Sequence, residues 1–219
     1  MVDINRCKKL YLSTIFNKVE YVQLDTTKEI FFSKSKKTRI AGKYMFIVET
    51  HQREYISAFD ISNGERILTI EQFGRGPEDI TFPKSLFINI EDNEFVVFDS
   101  GKRQLLTFNF NRNLVRKKYC PIFFQDFYIN NNGNYIFYTG NVVNVIKKNI
   151  YKNWLLETDS NFNILNAYGT INNNQKNLLM SNNNNIKFDN KGNCYINKSP
   201  DSRLYKFNSD DTFESVIKL

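Results

Sequence analysis

The residues that could do chemistry are few and scattered. Gly74-Arg75-Gly76-Pro77-Glu78-Asp79 has the composition of a loop that holds a phosphate on its backbone N–H groups. That use needs a Gly-Lys-Ser/Thr ending that opens a helix, or a strand–turn–helix setting. Neither stands here, so the stretch reads as a structural connection. His51 is the only histidine, with Arg53 and Glu54 close by. No motif places a serine or cysteine nucleophile beside it, and one histidine cannot build a zinc-type site. Asp60, Asn109, Asp159 and Asn208 recur at intervals of 49, 50 and 49 residues. A calcium loop surrounds its ion with several oxygens from one segment. These residues stand singly and read as turn caps, accepting from nearby backbone N–H groups. Cys7, Cys120 and Cys194 are odd in number and far apart, which argues against a disulfide framework. Trp154 is the single tryptophan and follows Tyr151 and Lys152. It either stacks on a ligand or fills a gap inside the fold. No catalytic residue, metal site or cofactor is expected.

The elements that carry these residues are short strands. The chain has 219 residues, 15% of them aromatic, with 20 Phe and 12 Tyr. So much aromatic surface excludes a disordered chain, and no apolar run approaches the ~20 residues of a membrane-spanning helix. Lys and Arg number 30 against 23 Asp and Glu, a net charge of +7. The basic residues fall in doublets, among them Lys36-Lys37, Lys102-Arg103, Lys117-Lys118 and Lys147-Lys148. Scattered doublets read as a solvated surface rather than a nucleic-acid groove.

Self-similarity organises the rest. Strands ISAFD, LLTFN, WLLETD and LYKFN end at the four recurring Asp and Asn residues, each followed by turn residues. Upstream of each lies another turn and strand: YMFIV, EFVVF, YIFY and CYI. The second unit predicts strands over 85–90, 94–99, 104–110 and 114–119. Four antiparallel strands repeating every ~40–50 residues is the pattern of a propeller blade. The expected fold is an all-β propeller: one domain over 1–219, an N-terminal strand region at 8–33, and blades at roughly 34–74, 82–120, 121–169 and 183–219. Two connections in each unit are tight. The other two are longer, including Tyr138–Asn153 and Gly74–Pro83. In a meandering blade the two kinds emerge on opposite faces, so the long loops share one face.

Three segments carry a family resemblance. They are LSTIFNKVEYVQLDT (12–26), IAGKYMFIVE with YISAFDISNGERI, and FGRGPEDITFP (73–83). Together they make the chain resemble the six-bladed β-propeller family of Bacteroidota, which is related to NHL-repeat propellers. The third segment is similar to that family's Gly-x-Gly-Pro-Gly-Glu-Phe loop, with Glu78, Asp79 and Ile80 departing from it. The resemblance implies an exported, periplasmic or cell-envelope setting, although this chain shows neither a signal-peptide pattern nor a lipobox. At about 50 residues per blade the chain is two blades short of six. It could be a fragment, an open arc prone to self-association, or a compact smaller ring.

The reading that follows is a non-enzymatic binding or scaffold module that presents its long-loop face to a glycan, a peptide or a cell-envelope protein. The residues chosen for that face are Arg53, Arg75, Glu78, Lys102, Arg103 and Trp154. Two other readings stay open. One is an NHL-like lyase or hydrolase, which needs carboxylates and His51 to converge on the central channel. The other is a nucleic-acid binder, which needs Lys102, Arg103, Lys147 and Lys148 on one surface.

Overall fold

The computed structural model describes residues 16–26, 37–50, 54–171, 186–188, 193–197, 203–208 and 213–218. The described residues hold strands and turns and no helix. Four antiparallel four-stranded sheets follow one another as the blades of a propeller. Blade 1 holds β1 (Lys37–Ala41), β2 (Tyr44–Glu49), β3 (Tyr55–Asp60) and β4 (Arg66–Ile70). Blade 2 holds β5 (Pro83–Asn89), β6 (Glu94–Asp99), β7 (Gln104–Asn109) and β8 (Leu114–Tyr119), within two residues of the predicted bounds. Blade 3 holds β9 (Asp126–Ile129), β10 (Tyr135–Tyr138), β13 (Asn153–Thr158) and β14 (Ile164–Thr170). A small hairpin, β11 (Asn144–Ile146) with β12 (Asn149–Tyr151), rises between β10 and β13. Blade 4 holds β15 (Ile186–Phe188), β16 (Cys194–Asn197), β17 (Arg203–Phe207) and β18 (Phe213–Lys218).

The apolar runs explain themselves once blades are stacked. A blade in the middle of a propeller is covered on both faces, so its strands need apolar residues at every position rather than at alternate ones. In EFVVFD of β6, Phe95 and Val97 join the cluster shared with blade 1. Val96 and Phe98 join the cluster shared with blade 3. Ile136 and Tyr138 of β10 face blade 4, while Phe137 faces blade 2. Ring pairs cross the gaps between successive blades: Phe46 with Phe95 at 4.9 Å, Phe98 with Phe124 at 4.2 Å and Trp154 with Tyr205 at 4.4 Å. Each such pair contributes ~0.5–1.5 kcal/mol beyond the area it buries.

The turns after Asp60, Asn109 and Asp159 bear out their capping role, while the turn after Asn208 lies outside the described residues. Asp60 accepts from the Ser62 N–H at 2.9 Å, Asn109 from Asn113 at 3.0 Å, and Asp159 from Asn161 and Asn163 at 2.8 Å each. The β11–β12 hairpin departs from the sequence reading, which treats Tyr138–Asn153 as one long loop. Its two-residue turn is Lys147-Lys148, with φ of 48° and 70°. Both central residues of a type I′ turn take positive φ, and two lysines do not announce such a turn. Asn144 anchors the hairpin: it is fully buried, accepts from the Phe123 N–H at 2.6 Å and donates to the Phe123 carbonyl at 3.0 Å. Within the expected N-terminal strand region, residues 16–26 are described and carry no strand. They lie against blade 1, where Asp25 N–H donates to Gly64 O at 2.8 Å. A Cβ on Gly64 would sit 1.9 Å from Gln23 O, so only glycine lets this segment approach.

Candidate functional site

Propeller blades turn one edge strand inward. Here β1 contacts β5, β5 contacts β9 and β9 contacts β15. These four strands run the same way, so their N-terminal ends open on the face of the long loops. An inner edge has unpaired backbone carbonyls that need donors. Arg39 supplies them across the channel: its Nε donates to Leu86 O at 3.2 Å and its Nη1 to Ile186 O at 3.3 Å. The third arm of the guanidinium pairs with the Asp126 carboxylate. One side chain of blade 1 thus touches blades 2, 3 and 4. Lys84 adds a second tie, from Nζ to Phe124 O at 2.9 Å.

The result is a channel mouth rich in cations. Lys37 and Arg39 come from β1, Lys84 from β5 and Lys187 from β15, around the carboxylate of Asp126 on β9, the one carboxylate of this cluster among the described residues. Asp126 is 1% exposed. Its Oδ1 accepts from Arg39, from Ser85 Oγ at 2.6 Å and from the Phe127 N–H at 3.1 Å. Its Oδ2 is buried without a hydrogen-bond partner. Burial pulls the Lys37 ammonium down to about 8; Asp126 opposes that fall, and Lys84 and Arg39 deepen it. Burial also lowers Lys84 and Lys187, again against the pull of Asp126. Among the described residues the ammonium groups of Lys37 and Lys187 have no hydrogen bond. A cavity of about 380 Å³ adjoins the cluster, bordered by Arg39, Ala41, Phe87, Ile88, Tyr128 and Lys187.

Of the residues chosen from sequence, those that are described lie elsewhere on the molecule. Arg53, like His51 and Cys7, falls outside the described residues. Arg75 and Glu78 are exposed on the β4–β5 loop. That loop is closed on itself: Asp79 Oδ2 accepts from Gly76 N–H at 2.7 Å, and Lys102 Nζ donates to Gly76 O at 2.5 Å and to Asp79 O at 2.6 Å. The Gly76 N–H that a phosphate would need is already taken. Arg103 donates to Pro121 O at 2.7 Å and lies 3.9 Å over the Phe123 ring. Trp154 is 3% exposed and fills the gap between blades 3 and 4, with Tyr205 on one side. Lys102 and Arg103 sit on the long-loop face, whereas Lys147 reaches Asn163 in a tight turn of the opposite face. The structure therefore does not gather these four cations. Of carboxylates, the described channel mouth holds Asp126, with its ring of cations.

Sequence reasoning passed over Lys37, Arg39, Lys84, Asp126 and Lys187. The doublet reading puts Lys37 on a solvated surface; the structure puts it largely buried at the mouth, with its pKa depressed for that reason. A signal was available. Each residue stands at or near the start of the first strand of its unit, the position that a propeller turns toward its axis.

Residues 2–219, all but the first residue of the chain, match the family model described as "Domain of unknown function (DUF4934)". The chain belongs to the DUF4934 family. No curated protein matches it. Among solved structures, the DUF4934 chain is similar to a Bacteroides fragilis protein named as exported, with a TM-score of 0.69 and 14% identity over 92% of this chain and 54% of that one. It is also similar to a member of the DUF4221 family from Bacteroides vulgatus, with a TM-score of 0.51 and 12% identity over 90% of this chain and 59% of that one. At such identity the likeness concerns the fold. The DUF4934 chain spans little more than half the length of these structures. No helix among its described residues is long and apolar enough to cross a membrane.

Proposed function

We propose that this DUF4934 chain is a non-enzymatic binding propeller whose ligand enters from the long-loop face and seats at the channel mouth. The observation that supports this is the convergence of Lys37, Arg39, Lys84 and Lys187 from three blades on one carboxylate, beside an open cavity. Lys37, Arg39 and Lys84 are drawn partly out of water beside one described carboxylate, a costly arrangement, and a ligand can supply further negative charge. The proposal carries the wider reading with it. The ligand is a glycan, a peptide or a cell-envelope protein, and the setting is the cell envelope, in line with the exported B. fragilis relative. Kinship to six-bladed, NHL-like propellers belongs to the same proposal.

A thermal-shift screen tests it. The chain and a Lys37→Met/Lys84→Met variant are screened against glycans and peptides. The proposal expects ligands that raise the Tm of the native chain and leave the variant unmoved. Ligands that shift both alike would place binding elsewhere.

A further inference from the structure

The mouth and the cavity beside it differ in character, and together they describe a ligand. Among the described residues the mouth carries four cations against one carboxylate, and the carboxylate is spoken for on Oδ1 by Arg39, Ser85 and a backbone N–H. The Arg39 guanidinium is spent on two backbone carbonyls and Asp126. Lysines remain as the free charge. Lys84 uses Nζ for one carbonyl, which leaves two of its three donors. Lys187 borders both the charge cluster and the cavity. Beyond Arg39 and Lys187 the cavity wall is mainly apolar, with Ala41, Phe87 and Ile88 among it. Its 380 Å³ lies at the small end of ligand pockets.

We infer that the ligand is an oxyanion joined to a compact apolar body, with its charged head among Lys187, Lys84 and Lys37 and its body in the cavity beside Ala41 and Phe87. This inference rests on the binding function proposed above. Two sources share the chemistry: a free carboxylic acid, and the C-terminal carboxylate of a peptide that ends in an apolar residue. A long polysaccharide has no apolar body to place there. An anion would also hold Lys37 in its charged form against its burial and, after that, against Lys84 and Arg39. Affinity is therefore full between the carboxylate's own pKa and pH about 8 and declines above it.

Calorimetry on the full chain tests this with hexanoate and hexanamide, and with a short peptide ending in Leu as free acid and as C-terminal amide. The acids bind at least ~10-fold more tightly than their amides, a difference of about 1.4 kcal/mol. Binding of hexanoate alone assigns a free acid, and binding of the peptide acid alone assigns a peptide terminus; either supports the inference. Ala41→Leu narrows the cavity without touching charge and abolishes binding. Lys187→Met, at an exposed position that should tolerate change, weakens the acids ~3- to 10-fold and carries the test if Ala41→Leu does not fold. Equal affinity for acid and amide, or acid binding unmoved by both variants, overturns the inference. If neither acid binds while a screened ligand still loses its effect in Lys37→Met/Lys84→Met, this inference fails and the binding function stands.

Discussion

Arg39 is the side chain that joins blade 1 to the other three, and replacing it tests how the channel holds together. Arg39→Met keeps most of the stem and removes the guanidinium. It deletes the Leu86 and Ile186 hydrogen bonds and leaves Asp126, 1% exposed, without its ion-pair partner. Breaking a buried pair from one side costs ~3–5 kcal/mol. Losing a positive charge near Lys37, Lys84 and Lys187 relieves some repulsion. That relief is the lesser effect, since Arg39 is the last of the three influences on Lys37 after burial. The expected loss is about 3 kcal/mol, or a Tm lower by ~6–12 °C for a chain of this size. Urea unfolding of Arg39→Met, Asp126→Asn and the double variant forms a cycle. The double variant should lose less than the sum, with a coupling of at least ~1.5 kcal/mol. In Arg39→Met the Lys37 ammonium should titrate above its native value of about 8, as NMR of the labelled lysine would show. An Arg39→Met variant within ~1 kcal/mol of the native chain, with no coupling to Asp126, would refute the role given to Arg39.

Gly169 has φ of 59°, and a Cβ there would fall 1.7 Å from Trp154 Nε1. Gly169→Ala should cost about 2–5 kcal/mol through left-handed strain and overpacking, measured by urea unfolding; a neutral result would mean that Trp154 is loosely held. Lys147 and Lys148 take φ of 48° and 70° in the β11–β12 turn, so Lys147→Asn/Lys148→Gly should raise stability by ~1 kcal/mol despite the lost Lys147–Asn163 bond. A drop in Tm would count against a type I′ turn. Burial pushes the Cys120 thiol up to about 12, where almost no thiolate exists at neutral pH. A thiol reagent at pH 8 should label Cys120 only after denaturant is added, and mass spectrometry would reveal labelling of the native chain.

What the sequence could disclose follows from the range of each interaction. Blade grammar is local: turn residues after Asp60, Asn109 and Asp159, and apolar runs between them, are legible one unit at a time. The bounds of β6 and β8 come out to the residue because Glu94 and Leu114 directly follow Asn-rich turns. Trp154 could be read as inter-blade or as ligand-facing, and the aromatic partner that decides it, Tyr205, lies a whole unit away. The channel cluster is less legible still. Lys37, Lys84, Asp126 and Lys187 share no motif and meet only because the first strands of successive blades pack side by side. Lys102 misleads in the opposite sense, since its charge is turned inward to the carbonyls of its own neighbouring loop.

The most direct test of binding at the channel mouth is a crystal structure of the chain with 6-bromohexanoate, read by the anomalous signal of bromine. Binding at the mouth predicts a bromine peak in the cavity beside Ala41, Phe87 and Ile88, with the carboxylate within ~3–4 Å of Lys187 or Lys84 Nζ. A bromine peak on another surface, with the channel mouth filled by water alone, would contradict it.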